Sequence, residues 1–220
     1  MIVLNLKNYK ESWERCAELS KAAHMVSKDT GVRVIVCPPA TRLQEALKSH
    51  EDVFAQHTDP EEPGAKTGFV LPGDLKMMGV KGSLLNHSEH RIGNVLAKKG
   101  VELLKKNGME SIVCGANPME CATLSTFNPD FVAVEPPELI GTGISVSTAK
   151  PEFITNTIGE VRERNKEVKI LCGAGVSKKE DVAAATALGA EGVLLASAYV
   201  KSQNPVEFLR GFASAFTRGK

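Results

Sequence analysis

The chain lacks an excess of charge of either sign: 27 basic side chains stand against 26 acidic ones among 220 residues. A nucleic-acid partner would normally leave a clustered basic excess, so none is expected, though a local anion site needs only a few groups. It also lacks a long apolar run. The most apolar stretch, residues 183–200, is broken by Glu191 and by polar residues, and its glycines and alanines read as turns and helix. No membrane partner is expected. Lys7 comes after only six residues, too soon for a signal-peptide core, so a cytoplasmic location is the expectation. Zinc-finger spacing is missing too. None of the cysteines (Cys16, Cys37, Cys114, Cys121, Cys172) forms a C-x-x-C pair, and all five read as reduced thiols used as small buried hydrophobes. There is no linker and no low-complexity tract, which implies one domain over residues 1–220.

What is present is a repeated unit. Short apolar runs recur at residues 2–6, 32–37, 53–56, 82–86, 111–115, 131–135, 168–172 and 192–196. They are mostly rich in Val, Ile and Leu without strict alternation, as parallel strands buried on both faces are. Each is followed by helix punctuation. Thr41-x-x-Gln44 and Ser177-x-x-Glu180 have the form of capping boxes, and Asn117-Pro118 and Asn204-Pro205 put a capping residue before a first-turn proline. Gly31, Gly79, Gly108 and Gly189 follow expected helix ends. Strict alternation of strand and helix predicts an α/β protein with a parallel sheet. An open, doubly wound sheet would show the same alternation, but eight units favour closure into a barrel. One connection breaks the rhythm: residues 57–73 are long and turn-rich, with Pro60, Pro63, Gly64, Gly68, Pro72 and Gly73. Loops of that length in a compact domain are usually functional.

In such a barrel the reactive groups stand at the C-terminal ends of the strands. The first strand ends Asn5-Leu6-Lys7, and alternation predicts that Asn5 and Lys7 share a face. The fourth ends Asn86-His87 and the sixth ends Glu135. A lysine, a histidine and a glutamate at one mouth suit acid–base chemistry. Residues 135–143, Glu-Pro-Pro-Glu-Leu-Ile-Gly-Thr-Gly, read as a hinged lid, stiff at the proline end and free at the glycine end. Gly173-Ala174-Gly175 and Ala196-Ser197-Ala198 are small-residue strand ends, each before a helix, where backbone N–H groups can approach an anion.

Asn5-x-Lys7, Asn86-His87-Ser88-Glu89, residues 135–143 and Gly173-Ala174-Gly175 together resemble the motifs of triosephosphate isomerase, in that family's order and spacing. The short length, the Pro-Pro-Glu-Leu-Ile lid and the Leu-Leu-Ala-Ser strand end are similar to its archaeal branch. The lid tryptophan and the Gly-Gly pair near position 196 of the common bacterial and eukaryotic pattern are absent, so Ala196 and Ser197 amides would serve the phosphate. The resemblance implies a single (β/α)8 TIM barrel that interconverts D-glyceraldehyde 3-phosphate and dihydroxyacetone phosphate in glycolysis and gluconeogenesis, with no cofactor and no metal. It implies Glu135 as the base, His87 as a neutral electrophile with a lowered pKa, and Lys7 as the cation that draws in substrate and stabilises the enediolate. Asn5, Ile140, Gly141, Gly175, Ala196 and Ser197 would contact substrate, with Glu89 as a supporting acid. It further implies a homodimer or homotetramer built through loop 57–73, whose Thr67 would approach a partner's Asn5 and Lys7.

Overall fold

The computed structural model describes residues 1–139 and 145–217. Among these, eight strands appear at the expected places, each trimmed at one or both ends except the fifth, which begins one residue early: β1 Ile2–Asn5, β2 Val34–Cys37, β3 Phe54–Ala55, β4 Gly82–Leu85, β5 Glu110–Gly115, β6 Phe131–Val134, β7 Lys169–Cys172 and β8 Gly192–Leu195. All pairings are parallel, in the order β2-β1-β8-β7-β6-β5-β4-β3. A bridge between Val36 and Val53, with the Val36 N–H donating to the Asp52 carbonyl at 3.0 Å, joins the two remaining edges. The sheet therefore closes, which settles the choice between a barrel and an open sheet and leaves no free edge.

Closure divides each strand's side chains between two cores. Val3, Ile35, Phe54, Leu84, Ile112, Phe131, Ala133, Leu171 and Leu194 pack together inside the ring. Their neighbours Ile2, Leu4, Val34, Val36, Leu85, Val113, Val132, Val134, Ile170, Val193 and Leu195 face outward against the helices. The outer layer follows helical periodicity: Cys16–Thr30 buries Cys16, Leu19, Ala22, Ala23 and Val26 along one stripe. The helix Pro205–Thr217 packs beside it, and the Tyr199 hydroxyl between them donates to the Leu19 carbonyl at 2.6 Å. None of the described helices is long and apolar enough to cross a membrane.

Local punctuation is partly as expected. Asn117 and Asn204 cap through their side chains, accepting from the N–H groups of Glu120 at 2.9 Å and Glu207 at 3.1 Å. Gly31, Gly79, Gly108 and Gly189 are all left-handed. Two caps differ. Thr41 lies within a single 3-10 turn, Ala40–Arg42, and makes no capping box with Gln44. At residue 177 the capping acid is Asp181 rather than Glu180. Its buried carboxylate accepts from the N–H groups of Ser177 at 2.9 Å and Lys178 at 3.2 Å, because the helix Lys179–Ala187 starts one residue later than the motif suggests. The long loop also ends sooner than residue 73, since Pro72 opens the helix Pro72–Met78.

That loop is tied down. The Asp59 N–H donates to the Val70 carbonyl at 2.7 Å, and the Val70 N–H returns a bond to the Asp59 carboxylate at 2.7 Å. Glu61 and Glu62 pair with Lys99 and Lys106, each at 2.7 Å. At the opposite end of the barrel, the floor is fastened by Arg33. It forks between Asp52 at 2.6 Å and Glu110 at 2.5 Å, over the rings of Phe54 and Phe131.

Gly82 shows how tight this floor is. A Cβ there would stand 2.4 Å from both the Glu110 carbonyl and the Phe54 ring. Overpacking of this kind destabilises by about 1–3 kcal/mol, so Gly82→Ala should lower the thermal midpoint by about 2–12 °C. Gly159→Ala, on the exposed face of the helix Pro151–Arg164 with nothing within 4 Å, is the control that should not lower it. Equal melting of the two variants in a calorimetric scan would contradict the packing described.

Candidate active site

The top rung of the inner core is polar. The alternation that turns Val3 into the barrel turns Asn5 inward, and the rhythm of Phe131 and Ala133 continues to Glu135. The ladder itself runs one residue further here, with the Glu135 N–H donating to the Gly115 carbonyl at 2.9 Å. Asn5, His87 and Glu135 are buried, at 3%, 5% and 3% exposure.

Lys7 reaches this site differently from the expectation. Simple alternation would carry it there, but its backbone is left-handed, with φ of 50°. For a lysine that conformation costs about 1–3 kcal/mol and persists only where neighbours impose it. Here Asn5 Oδ1 accepts from the Lys7 N–H at 3.1 Å, and Gln56 Nε2 donates to the carbonyls of both Lys7 at 3.2 Å and Cys37 at 3.0 Å. Lys7 Nζ then pairs with Glu89 Oε1 at 2.7 Å. Gln56 is thus a site residue missed from sequence; its only signal was a polar residue ending an apolar run.

His87 follows a second left-handed residue, Asn86, whose Oδ1 accepts from the N–H groups of Ile92 and Gly93, each at 3.1 Å. Asn86 Nδ2 donates to the Cys114 carbonyl at 3.0 Å. This clamp holds His87 so that its Nδ1 accepts from the Glu89 N–H at 3.2 Å. The tautomer this favours carries its proton on Nε2. That nitrogen lies 3.4 Å from Asn5 Nδ2 and 3.3 Å from Glu135 Oε2. The approach to Glu135 is close but poorly aligned, and the oxygen makes no well-formed hydrogen bond.

The pair shifts both titrations. Burial pulls the His87 imidazole down, but the adjoining Glu135 carboxylate, with Glu89 behind it, pushes it up by more in total, and its pKa ends above the ordinary histidine value. The lowered pKa expected of His87 is therefore not the situation of the ligand-free site, because the Glu135 carboxylate lies 3.3 Å from its Nε2. For Glu135, burial pushes the carboxyl up, while His87, the Cys114 thiol and Lys7 pull it down by more; it ends below the ordinary value and stays ionised. Cys114, read from sequence as an inert hydrophobe, is buried but also stabilises this carboxylate.

Lys7 and Glu135 border a cavity of about 350 Å³ whose other wall is Ala174, Gly175, Val176, Ser177, Ala196, Ser197 and Ala198. The predicted small-residue loops and the predicted acid–base residues thus meet in one space. Ser197 and Ala198 open a single helical turn, so their first N–H groups lack intrahelical acceptors. Lys201 and Tyr9, not foreseen, also line this cavity. A neighbouring cavity of about 610 Å³ opens on Asn5, Lys7, Gln56, His57, His87 and His90. Ile140 and Gly141, with Thr142 and Gly143 at the glycine end of the expected lid, lie outside the described residues. Beside them, Lys150 pairs with Glu138 at 2.7 Å, and the Ser147 hydroxyl donates to the Asp181 carbonyl at 2.9 Å.

The family model for triosephosphate isomerase matches residues 1–212. The triosephosphate isomerase of Methanocaldococcus jannaschii is 46% identical over 212 residues, covering 96% of this chain and 97% of that protein. That of Methanothermus fervidus is 48% identical over 206 residues, 93% of each chain. That of Sulfolobus acidocaldarius is 41% identical over 214 residues, 96% of this chain and 93% of its own.

The coupling of His87 to Glu135 has a measurable sign. In the ligand-free protein, an NMR titration of the His87 Cε1–H resonance should give a midpoint above the ordinary value of about 6.5. In Glu135→Gln the main upward influence is gone, and burial, the largest single influence, with the charge of Lys7 outweighs the Glu89 carboxylate that remains, so the midpoint should fall below it. An unchanged midpoint would mean that the two groups are not paired.

Proposed function

The chain belongs to the triosephosphate isomerase family, and we propose that Glu135, His87 and Lys7 carry its reaction inside one barrel domain spanning residues 1–220. The enzyme is an isomerase that interconverts D-glyceraldehyde 3-phosphate and dihydroxyacetone phosphate. The observation that carries the assignment of roles is a shared cavity: Lys7 and Glu135 face Gly175, Ala196 and Ser197 across it, and His87 stands 3.3 Å from Glu135.

The chemistry follows from what each group can do there. Glu135, ionised and buried, removes the proton from the carbon beside the substrate carbonyl and returns it to the neighbouring carbon. The oxyanion that develops needs donors aimed at it, and His87 Nε2–H and Lys7 Nζ supply them. Substrate entering between His87 and Glu135 would separate the pair. The imidazole would then lose its largest upward influence and keep its burial, the Lys7 charge and the Glu89 N–H on Nδ1, which favour the neutral ring against the remaining pull of the Glu89 carboxylate. The neutral electrophile would thus be a property of the occupied site. Asn5 fixes the Lys7 turn, and Glu89 holds the ammonium until an anionic substrate competes for it. Gly175, Ala196 and Ser197 leave room for backbone N–H groups to reach the phosphate. Ile140 and Gly141 complete the site from the lid, which shields the enediolate from water. No cofactor is required for these steps. The enzyme is cytoplasmic and acts in glycolysis and gluconeogenesis.

The protein assembles as a homodimer, or as a tetramer of two such dimers, through loop 57–73. The loop is pinned at its base and along the helix Gly93–Lys106, yet Phe69 near its tip is 47% exposed. The cavity beside Asn5 and Lys7 gives a partner's Thr67 a place to insert. Isologous exchange of this kind would buttress each lysine with the other chain.

Two measurements test this reading. Glu135→Asp withdraws the carboxylate by about an ångström and should lower kcat by about 100-fold or more with a much smaller change in KM; near-normal turnover would remove Glu135 from the role of base. Light scattering should give a mass two or four times the 23.6 kDa of the chain. A fully active monomer would overturn both the assembly and the role of Thr67.

A further inference from the structure

A second cluster of ligating side chains lies at the opposite end of the barrel from the proposed active site. His24 stands on the helix Cys16–Thr30, and His50 and Glu51 form the turn that leads into β3. His24 Nδ1 lies 2.7 Å from Glu51 Oε2, and His50 Nδ1 lies 3.8 Å from the same oxygen. One ligand atom from each of the three residues falls within 4.8 Å of the others. The two imidazoles meet edge to face, with centroids 6.0 Å apart.

His50 is the informative member. Its side chain is 2% exposed, and its Nε2–H donates to the Val34 carbonyl at 2.6 Å. That bond uses the ring's only proton in the neutral form, so Nδ1 presents a lone pair. This buried nitrogen has no hydrogen-bond partner among the described residues. An unpaired buried acceptor is costly, and it points toward Glu51 and His24.

We propose that His24, His50 and Glu51 form a binding site for a zinc-class divalent cation. Two imidazoles and a carboxylate suit that class, with a water in the fourth position. Tetrahedral bonds of about 2.0–2.1 Å place neighbouring ligand atoms about 3.3 Å apart, and the observed 2.7 and 3.8 Å bracket that spacing. The Val34 carbonyl on Nε2–H is the kind of partner that orients a ligating histidine and sets its tautomer. His24 Nδ1, which shares a proton with Glu51 Oε2 at 2.7 Å, would carry that proton on Nε2 instead when the cation binds. Two nearby cations already have carboxylate partners. Lys28 takes the other oxygen, Glu51 Oε1, at 3.1 Å, and Arg33 is held by Asp52 and Glu110. His50 and Glu51 also border a cavity of about 360 Å³. The bound cation would fasten an outer helix to the barrel floor, which makes it a stabilising link remote from the isomerase chemistry. The expectation of no metal rested on the missing C-x-x-C spacing and on the resemblance, which concerns the strand ends at the other mouth; this cluster uses neither.

The test is a calorimetric titration of untagged, EDTA-treated protein with zinc chloride. All five cysteines are buried and so compete little. The expected result is one site per chain with a Kd in the micromolar range or tighter. His24→Ala, on a partly exposed helix position, should weaken it at least about tenfold. Zinc at about 100 times Kd should raise the thermal midpoint by about 5–11 °C, and magnesium should not. Isomerase kcat should be the same in His24→Ala as in the parent. Absence of saturable zinc binding, or binding equally tight in His24→Ala, would overturn the proposal.

Discussion

Closure of eight parallel strands into a ring is the constraint from which the rest of the molecule follows. A strand's side chains alternate, so a closed ring sorts them into an inner stack and an outer face. Because the strands are parallel, all eight inner stacks end at the same mouth. Whatever residue continues the inward rhythm at a strand's C-terminal end is delivered there. Asn5 and Glu135 arrive in this way, above Val3 and above Phe131 and Ala133. The Val36–Val53 bridge is small, two side chains and a hydrogen bond, but without it the mouth would be a line of strand ends along an open sheet.

The mouth holds charge that burial opposes. An ionised Glu135 has little solvent to stabilise it, and a buried carboxylate alone would take up a proton. The imidazole of His87, the ammonium of Lys7 and the thiol of Cys114 reverse that tendency together. Each is placed by a backbone device. Lys7 and Asn86 occupy left-handed conformations, and side-chain bonds from Asn5, Gln56 and Asn86 itself hold those turns. Strain collects at this mouth because geometry there is set by what the charges need, and the rigid ring beneath it supplies the restraint.

The floor obeys a different logic. Gly82 leaves no room for a side chain, and the Arg33 fork covers the lowest aromatic rung. The His24–His50–Glu51 cluster belongs to the same face, where His24 of an outer helix meets Glu51 at 2.7 Å. Stabilising links at the floor do not compete with groups that must move or change partners at the mouth.

Short-range order was legible in the sequence. Apolar runs marked all eight strands, because burial on both faces demands them. Asn117 and Asn204 announced their caps, because a cap is a contact three residues long. The residues at strand ends could be named for the same reason, and the order of their motifs carried the family. Other features depended on distances between remote parts of the chain, which only the closed ring determines. Asp181 rather than Glu180 caps its helix, since the start of that helix is set by the loop packed above it. The rise in the His87 pKa comes from Glu135, which joins it only across the barrel. Gln56 matters because it reaches Lys7 from another strand, and His24 meets His50 because a helix packs over β2 and the turn before β3. Sequence alone determined which groups stand where along each strand. The tertiary structure decided which of them face one another, because the electrostatics of a buried pair depend on its separation and surroundings, and neither is a local property of the chain.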